Sequence, residues 1–445
     1  MIERFSVADE LTCYYDRPAE PANVHLEVRV PARIDPVALT AGVSEVLASS
    51  PRLMARRRQA RWQRSYQWEF PVPSGADTVS TASYTSQDDL DRQRDAFLSS
   101  SPSLAVAPPL RFLLASGSGG DHLILNAHHA AFDGLSCLRL IHEVAARYDS
   151  HDEGGQAHPT GRPVPGTGPA RVPGPATSPG EASAGQRAAA RRRSGRTARI
   201  APGSGAERSM PGYGAHLVTW DGLSVITDGL SITDSLRQGG LSVNDLLIAA
   251  LMLTISEWNH GRGGGDQMKI TMPVGDKDQA GPDGRWANLS RLTTIAVSVP
   301  AGTSPADLIA AVASQTSAAK EHAGPQLDFA SRVLAAAPLP VTVKNMLLRS
   351  ALRVAGPFFC DTSLVSNLGV GAAPAFGATQ ATEVWFSTSA HMPRGLSLGA
   401  VTAGGALRLT FRYRRALMSR SDAAEFGAIY AKVLDQFAGQ QAVCR

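Results

Sequence analysis

Hydrophobic and polar positions in the first 150 residues follow patterns that predict individual elements. Asp35 or Pro36 is predicted to begin a helix, because apolar residues follow at helical spacing. A second helix is predicted over Gly134–Tyr148, where the apolar side chains form one stripe and Asp133 is placed to cap the first turn. The predicted strands of this half are Val24–Val30, Leu110–Leu114 and His122–His128. The last strand is apolar almost throughout, as expected of a strand covered on both faces.

The rest of the chain shows the same two kinds of pattern. The helix over Asn244–Trp258 has a wide apolar face, and Ser242 or Asn244 is its predicted cap. Two more helices are predicted over Ala306–His322 and Asp422–Phe437. The predicted strands are His216–Trp220, Ser224–Thr227, Lys269–Val274, Thr293–Val299, Leu364–Asn367, Glu383–Ser387 and Leu407–Tyr413. This irregular alternation favours an α/β class built from two sandwich halves over a single doubly wound sheet.

The composition changes abruptly between about residues 151 and 213. This stretch is rich in Gly, Pro, Ala, Ser and Arg and has almost no large apolar residue to bury, which predicts a disordered linker. The chain of 445 residues also exceeds the size at which one core usually stops growing. We therefore predict an N-terminal subdomain over residues 1–150 and a C-terminal subdomain over 214–445.

The overall composition is that of a soluble globular protein, with 43% hydrophobic and 18% charged residues. The net charge is only +4, but arginines cluster at 52–64 and 187–199. These clusters could attract an anionic carrier domain, a nucleotide phosphate or nucleic acid, or could simply be solvated. Because no interleaved aromatic residues accompany them, we do not expect nucleic-acid binding.

The four cysteines and the N-terminus predict a cytoplasmic protein. Residues 13, 137, 360 and 444 form no close pair, so neither a metal knuckle nor a small disulfide framework is indicated. The N-terminal MIERFSVADE is charged where a signal peptide needs an apolar core, and the longest apolar run is too short to cross a bilayer. We expect no membrane association.

One segment carries candidate chemistry, Asn126–Gly134, at the end of a predicted strand and before a helix. Adjacent strand residues point to opposite faces, so His128 and His129 should face different surroundings. A neutral imidazole near pH 7 can remove a proton from an amine or hydroxyl. Asp133 could fix the loop by pairing with an Arg or capping the helix, and Gly134 would let the backbone turn tightly with no side chain in a channel.

Rival sites are less well supported by the sequence. A metal site at His128, His129 and Asp133 would need adjacent histidines to converge, so no metal is expected. Gly395–Gly399 matches the GxSxG of serine hydrolases, but the sequence after it leads into a strand rather than a helix, which predicts a hairpin. No phosphate-binding GxxxxGK[ST] is present.

The pattern His128-His129-x-x-x-Asp133-Gly134 resembles the HHxxxDG motif of the condensation-domain and chloramphenicol-acetyltransferase-like acyltransferase superfamily. Further segments are similar to recurring segments of that family. They are Ser50–Ala55, Ser242–Leu247, Asn288–Ser290 and Ser366–Gly369. Together the matching segments are spread over most of both halves and leave out the predicted linker.

The resemblance implies two acetyltransferase-like subdomains that meet in a V around a central tunnel. It implies that His129 is the general base, that Asp133 is structural and that His128 is a packing residue. Ser366 and Asn367 are expected to line the channel, where a side-chain donor could stabilise an oxyanion.

The sequence also departs from the family pattern. Met54 stands where the family has an Arg that often pairs with the motif Asp, so Arg52 or Arg56 could substitute, or Asp133 could act only as a cap. The DFGWG motif of plant members is absent, and Ala287 replaces a common Gly. These departures bear on the substrate class more than on the fold.

The implied function is transfer of an acyl or aminoacyl group from a thioester to an amine or hydroxyl in the biosynthesis of a nonribosomal peptide, polyketide or antibiotic. No permanently bound cofactor is expected, since the thioester of coenzyme A or of a carrier protein's phosphopantetheine is a substrate. An acyl or peptidyl carrier protein and a small-molecule acceptor are the expected partners. A non-catalytic recruitment module and an enzyme of cyclisation or dehydration on the same fold remain alternatives.

Overall fold

Among the residues it describes, the computed structural model contains seven helices with defined bounds and further helical segments, one of which includes residues 341–348. The described residues are 2–59, 63–72, 78–151, 197–206, 209–222, 226–227, 230–231, 234, 236, 238–274, 286, 291–321, 339–348, 350, 361–392 and 394–443. The seven helices are α1 (Val7–Tyr15), α2 (Pro36–Ser49), α3 (Gln87–Phe97), α4 (Gly134–His151), α5 (Val243–Asn259), α6 (Pro305–Glu321) and α7 (Arg420–Val443). A 3-10 helix covers Pro51–Met54.

Strands account for the rest of the regular structure. In the first half they are β1 (Ile2–Arg4), β2 (Asn23–Val30), β3 (Arg56–Arg57), β4 (Gln67–Glu69), β5 (Val79–Ser83), β6 (Leu110–Gly117) and β7 (Gly120–His128). Next come β8 (Tyr213–Trp220), β9 (Ile226–Thr227), β10 (Leu230–Ser231), β11 (Gln267–Val274), β12 (Arg291–Ser298) and β13 (Ser363–Val370). The last are β14 (Ala375–Phe376), β15 (Thr379–Gln380), β16 (Glu383–Thr388), β17 (Leu396–Ala403) and β18 (Ala406–Arg414). The predicted α/β class is confirmed.

Local capping explains where two of the predicted helices begin. Asp35 accepts hydrogen bonds from the first amides of α2, and Pro36 fits the first helical position because its missing N–H needs no partner there. Ser242 and Asp245 form a capping box at the start of α5. Both signals were readable in the sequence because a cap depends on neighbours within a few residues.

The N-terminal half is a five-stranded sheet in the order β16-β2-β7-β6-β5. Its apolar face includes Val24, Leu26 and Val28 of β2, all fully buried, and belongs to one core with residues of α2 and α4. Helices α2 and α4 also pack against each other. This arrangement holds the junction between β7 and α4 on a rigid scaffold.

The opposite face of this sheet carries a buried charged group that we call the Glu27 cluster, formed by Glu27, Arg94, His25 and His122. Arg94 of α3 donates two hydrogen bonds to the Glu27 carboxylate, at 2.6 and 2.9 Å. His122 Nδ1 lies 2.7 Å and His25 Nε2 3.3 Å from the same carboxylate. The paired Arg94 guanidinium holds the pKa of Glu27 well below its usual range, against the opposing effect of burial.

The C-terminal half is a six-stranded sheet in the order β12-β11-β13-β17-β18-β8, and its core includes residues of α5, α6 and α7. One strand crosses the predicted boundary between the halves: β16 comes from the second half of the chain but pairs with β2 along its whole length. The assignment of all of 214–445 to the C-terminal subdomain was therefore wrong for β16. Backbone pairing between distant strands leaves no local signal.

The predicted linker also ends earlier than residue 213. Ala198, Ile200 and Ala201 are buried in the C-terminal core, and the Ala198 amide donates to the Gln267 carbonyl at 2.7 Å. The prediction failed there because short apolar residues in a Gly- and Ala-rich stretch do not stand out as buried. Residues 152–196, with the Arg191-Arg192-Arg193 cluster, lie outside the described residues.

The GxSxG-like segment forms part of a hairpin, as predicted. Strand β17 pairs antiparallel with β18, and Gly404 and Gly405 have positive φ values of 60° and 81° in the turn between them. The Ser397 hydroxyl is fully buried and donates to the Thr388 carbonyl at 2.5 Å. This serine therefore ties β17 to the crossing strand β16 and is not displayed as a nucleophile.

Candidate active site

The two histidines of the motif lie where β7 ends and the chain turns into α4. The His129 amide donates to the Ala22 carbonyl at 2.9 Å, which extends the pairing between β7 and β2 by one residue. Asp133 Oδ1 then accepts the Ser136 amide at 2.8 Å in the first turn of α4. The predicted cap is confirmed, and the loop between the two histidines and the helix is fixed at both ends.

His128 is buried, and both of its ring nitrogens have partners. Its Nδ1 accepts the Ala130 amide at 3.1 Å, and its Nε2 lies 3.4 Å from Asp16 Oδ2. Only 1% of the residue is exposed. These contacts are those of a packing residue that shapes the loop, which is the role that the family resemblance implied for it.

The hydrogen bond of His129 fixes which of its nitrogens carries the proton. Its Nδ1 lies 3.1 Å from the Phe132 carbonyl oxygen. Because a carbonyl oxygen only accepts, Nδ1 must be the donor in this bond. In the neutral ring the lone pair is then on Nε2, the nitrogen that can accept a proton from a substrate.

His129 loses hydration and yet keeps some accessible surface. Burial lowers its pKa below the ordinary 6.5, although the nearby Asp133 charge acts in the opposite direction. The residue itself remains partly exposed, unlike His128. A ring that is neutral at pH 7 and still reachable is suited to a general base.

Asp133 acts as a cap, which was one of the two alternatives for its role. Arg52 donates to the Trp286 carbonyl and pairs with Glu3, while Arg56 pairs with Glu69. The two arginines that could have substituted for the family's Arg thus have other partners. Asp133 keeps an electrostatic role, since its charge raises the pKa of His129.

Gly134 is needed for space and not for a left-handed backbone conformation. It is the first residue of α4, and its φ is outside the left-handed region. A Cβ at this position would lie 2.6 Å from Leu368 Cδ2 and 2.6 Å from Phe386 Cε2. The glycine therefore lets β13 and β16 approach the start of α4 closely.

The predicted channel residues Ser366 and Asn367 point to opposite faces of β13, as neighbours on a strand do. The Asn367 amide donates to Asn244 at 2.8 Å, at the start of α5, and its oxygen accepts the Gly369 amide. Ser366 is buried and shares the face of Leu368, which contacts Gly134. Of the two, only Ser366 lies on the face of β13 that is turned towards Gly134 and the HHxxxDG motif.

A third histidine, His391, lies near the motif and was not predicted. It follows β16 by three residues, and its ring stacks on Tyr15 with centroids 5.7 Å apart. His129 is close enough to contribute to lowering its pKa, although burial is the main cause and brings the value to about 3. No motif surrounds His391, and only the pairing of β16 with β2 brings it here.

The remaining sequence predictions concern a family-like segment, a metal site and membrane spans. The family-like segment Asn288–Ser290 lies outside the described residues. Within the described ranges, no group of three His, Cys, Asp or Glu side chains could hold a metal ion. No described helix is both long and apolar enough to cross a membrane.

Comparison of the sequence with curated proteins gives a relative over nearly the whole chain. The uncharacterized protein Rv2305 of Mycobacterium tuberculosis strain H37Rv is 30% identical over 441 residues, which are 97% of this chain and 98% of the relative. No family model matches the sequence.

Comparison of the structure with solved structures shows the fold. The first condensation domain of the CDA synthetase matches with a TM-score of 0.61 and 15% identity, over 98% of this chain and 96% of that domain. The epimerization domain from the third module of tyrocidine synthetase B matches with a TM-score of 0.59 and 13% identity, over 100% and 99% of the two chains. The chain therefore has the condensation-domain fold that the HHxxxDG resemblance implied.

Proposed function

Because the chain belongs to the same family as the uncharacterized protein Rv2305 of Mycobacterium tuberculosis and has the condensation-domain fold, we propose that it is an acyltransferase. It takes an acyl or aminoacyl group from a thioester of coenzyme A or of a carrier protein's phosphopantetheine. It transfers this group to an amine or hydroxyl and forms an amide or ester. The setting we propose is the biosynthesis of a nonribosomal peptide, polyketide or related natural product.

His129 is the general base of this reaction. The acceptor nitrogen or oxygen attacks the thioester carbonyl carbon while its proton moves to His129 Nε2. The tetrahedral intermediate then breaks its carbon–sulfur bond, and the departing thiolate takes the proton from His129. The products are the amide or ester and a free thiol, and His129 returns to its neutral form. A base positioned in this way typically contributes about 10²–10⁴-fold to the rate.

One observation carries the proposal: the hydrogen bond from His129 Nδ1 to the Phe132 carbonyl at 3.1 Å. It places the lone pair on Nε2 in a ring whose pKa burial lowers. His128, the adjacent imidazole, has both nitrogens engaged and cannot serve in the same way without breaking those contacts. The chemistry therefore rests on one ring of the pair.

The test uses acyl thioesters of N-acetylcysteamine, a short mimic of the phosphopantetheine arm, with a panel of amines and alcohols. Mass spectrometry reads the acylated acceptor and the released thiol. His129→Ala should lower the transfer rate about 10²–10⁴-fold. His260→Ala is the matched control, because His260 is an exposed imidazole at the end of α5. It should transfer at the wild-type rate.

Three outcomes would count against the proposal. If folded His129→Ala keeps the wild-type rate, another group is the base and the role of His129 is refuted. If the wild type forms a cyclised or dehydrated product and no acylated acceptor, the same fold performs a different reaction. A protein that binds the thioester without any turnover would instead be a recruitment module.

A further inference from the structure

Two histidines leave the same end of the N-terminal sheet on either side of β2. Strands β7 and β16 both run antiparallel to β2, so both finish beside the first residues of β2, at the same end of the sheet. The His129 amide donates to the Ala22 carbonyl, and the Ser389 amide donates to the neighbouring Asn23 carbonyl at 3.3 Å. Since adjacent strands are about 4.8 Å apart, the backbones that carry His129 and His391 are roughly 10 Å apart across β2. The charge of His129 also acts on the His391 ring, so the two imidazoles lie near each other at this end of the sheet.

The segment that carries His391 is held in place by contacts from several elements. The Tyr213 hydroxyl donates to the Ala390 carbonyl at 2.9 Å, and the Met392 amide donates to Glu20 at 3.0 Å. The ring itself stacks on Tyr15 at the end of α1. These contacts hold the backbone on both sides of His391 and one face of its ring.

His391 nevertheless lacks the hydrogen bonds that the other buried histidines have. Its Nδ1 is buried and has no partner among the described residues. The His25 ring is bonded to Ser387 and Glu27, and His122 Nδ1 lies 2.7 Å from Glu27. A buried polar atom without a partner costs free energy, so stability alone does not explain an imidazole at position 391. Its partly exposed surface leaves it open to a ligand.

The burial of Nδ1 favours one tautomer of His391. Besides burial, charges of both signs act on the ring, since Arg394 and Arg17 lower its pKa and Asp16 raises it, so the charges alone do not select a tautomer. A buried lone pair without a partner is less costly than a buried N–H without one, so Nδ1 is expected to carry the lone pair. The proton of the neutral ring is then on Nε2, which makes Nε2 a donor.

We propose that His391 is a second substrate-contacting residue, whose Nε2–H donates a hydrogen bond to the thioester carbonyl oxygen as that oxygen becomes negative. The inference rests on the proposed acyl transfer. His129, with its proton on Nδ1, accepts the proton of the acceptor, and His391, with its proton on Nε2, stabilises the oxyanion. No proton moves to or from His391, because its ring stays neutral throughout. The two imidazoles thus have opposite tautomers and different roles, one as a proton acceptor and the other as a hydrogen-bond donor.

The test compares His391→Phe and His391→Gln with the wild type in the N-acetylcysteamine thioester assay. Phenylalanine keeps the ring and its stacking on Tyr15 but removes both nitrogens, whereas glutamine restores a donor near the Nε2 position. A contact made only in the transition state lowers kcat and leaves KM unchanged. We expect kcat of His391→Phe to fall about 10²-fold at unchanged KM, with partial recovery in His391→Gln.

Comparison with His129→Ala separates this inference from the proposed function. If His129→Ala is inactive and His391→Phe has the wild-type kcat, the inference is overturned while the proposed function stands. If His391→Phe raises KM and lowers the melting temperature without lowering kcat, the residue is structural and the inference is likewise overturned. If His129→Ala has the wild-type rate, both fall.

A second measurement needs no turnover. Diethyl pyrocarbonate modifies neutral, accessible imidazoles, and peptide mass mapping reports each histidine separately. We expect the N-acetylcysteamine thioester to protect His129 and His391 and to leave exposed His260 unprotected. Protection of His129 without His391 would overturn the inference alone. Protection of neither would overturn the inference together with the proposed function.

Discussion

The N-terminal sheet holds two groups of histidines that differ in their surroundings. In the Glu27 cluster, the carboxylate accepts two hydrogen bonds from Arg94, and both His25 and His122 lie against it. At the end of the same sheet, His129 keeps accessible surface, and His391 has a buried nitrogen without a partner among the described residues. The sheet thus carries imidazoles bonded to Glu27 in its middle, whereas at its end His129 keeps accessible surface and His391 has one buried nitrogen without a partner among the described residues.

The difference separates histidines that serve the fold from those proposed to serve chemistry. A buried charge is tolerated when its partners surround it, and removing one partner leaves the other uncompensated. An imidazole with an unmatched nitrogen contributes little to stability and keeps bonding capacity for a ligand. The two groups should therefore respond in opposite ways to substitution, one in stability and the other in activity.

The largest expected effect is on the Glu27 cluster. Arg94→Met removes the cation and leaves Glu27 buried without its main partner, which should cost about 3–5 kcal/mol in the free energy of unfolding by urea. Arg92→Met is the matched control on the same helix, because Arg92 is exposed and its pair with Asp89 lies at the surface. It should cost at most about 1 kcal/mol. Equal losses in the two variants would contradict the structural role of the cluster.

The next effect concerns the bonded histidine next to the proposed base. His128→Phe keeps a ring but leaves the Ala130 amide and Asp16 without this partner. A buried donor left unsatisfied should cost about 1–3 kcal/mol in urea unfolding. A variant as stable as the wild type would show that His128 is not the packing residue that its contacts indicate.

The smallest effect, and the one that changes with pH, is expected at His391. The unfolded chain binds a proton at this residue below about pH 6.5, whereas burial lowers its folded pKa to about 3. The wild type therefore loses stability as the pH falls through this window, and His391→Phe removes that loss. The variant should be at least as stable as the wild type at pH 7, and its advantage should grow by about 1.4 kcal/mol for each pH unit below 6.5.

Urea unfolding of both proteins at pH 7, 6 and 5 checks this expectation. A constant difference across the three pH values would mean that His391 is protonated equally in the folded and unfolded states. The description of His391 as a buried imidazole that stays neutral in the folded protein would then be wrong.

Local signals allowed the starts of two helices to be predicted, whereas contacts between distant strands could not be predicted. The starts of α2 and α5 followed from Asp35, Pro36 and Ser242, because capping is a matter of a few residues. Helix α3 was missed, since its sequence QDDLDRQRDAF has few apolar positions and its inner face is fixed instead by Leu90 and the ion pair of Arg94. The periodicity of apolar residues cannot reveal a helix face whose buried positions include a charged residue such as Arg94.

The candidate site shows the same division. His128, His129 and Asp133 are close in sequence, so their motif and the alternation of strand side chains predicted their different surroundings. His391 lies in the other half of the chain and joins them only because β16 pairs with β2. A histidine in a loop between two predicted strands gives no signal until that pairing is known.

The central claim is that His129 acts as a neutral base with a pKa below its ordinary value, and the pH dependence of kcat/KM tests it most directly. An alcohol acceptor is the substrate of choice, because it carries no group that titrates in this range. The account predicts a rate that is constant above pH 6.5 and falls only as the pH drops further, since burial lowers the pKa of His129. His129→Ala should show no such limb in its residual rate. An inflection above pH 6.5, or the same acid limb in His129→Ala, would contradict the account.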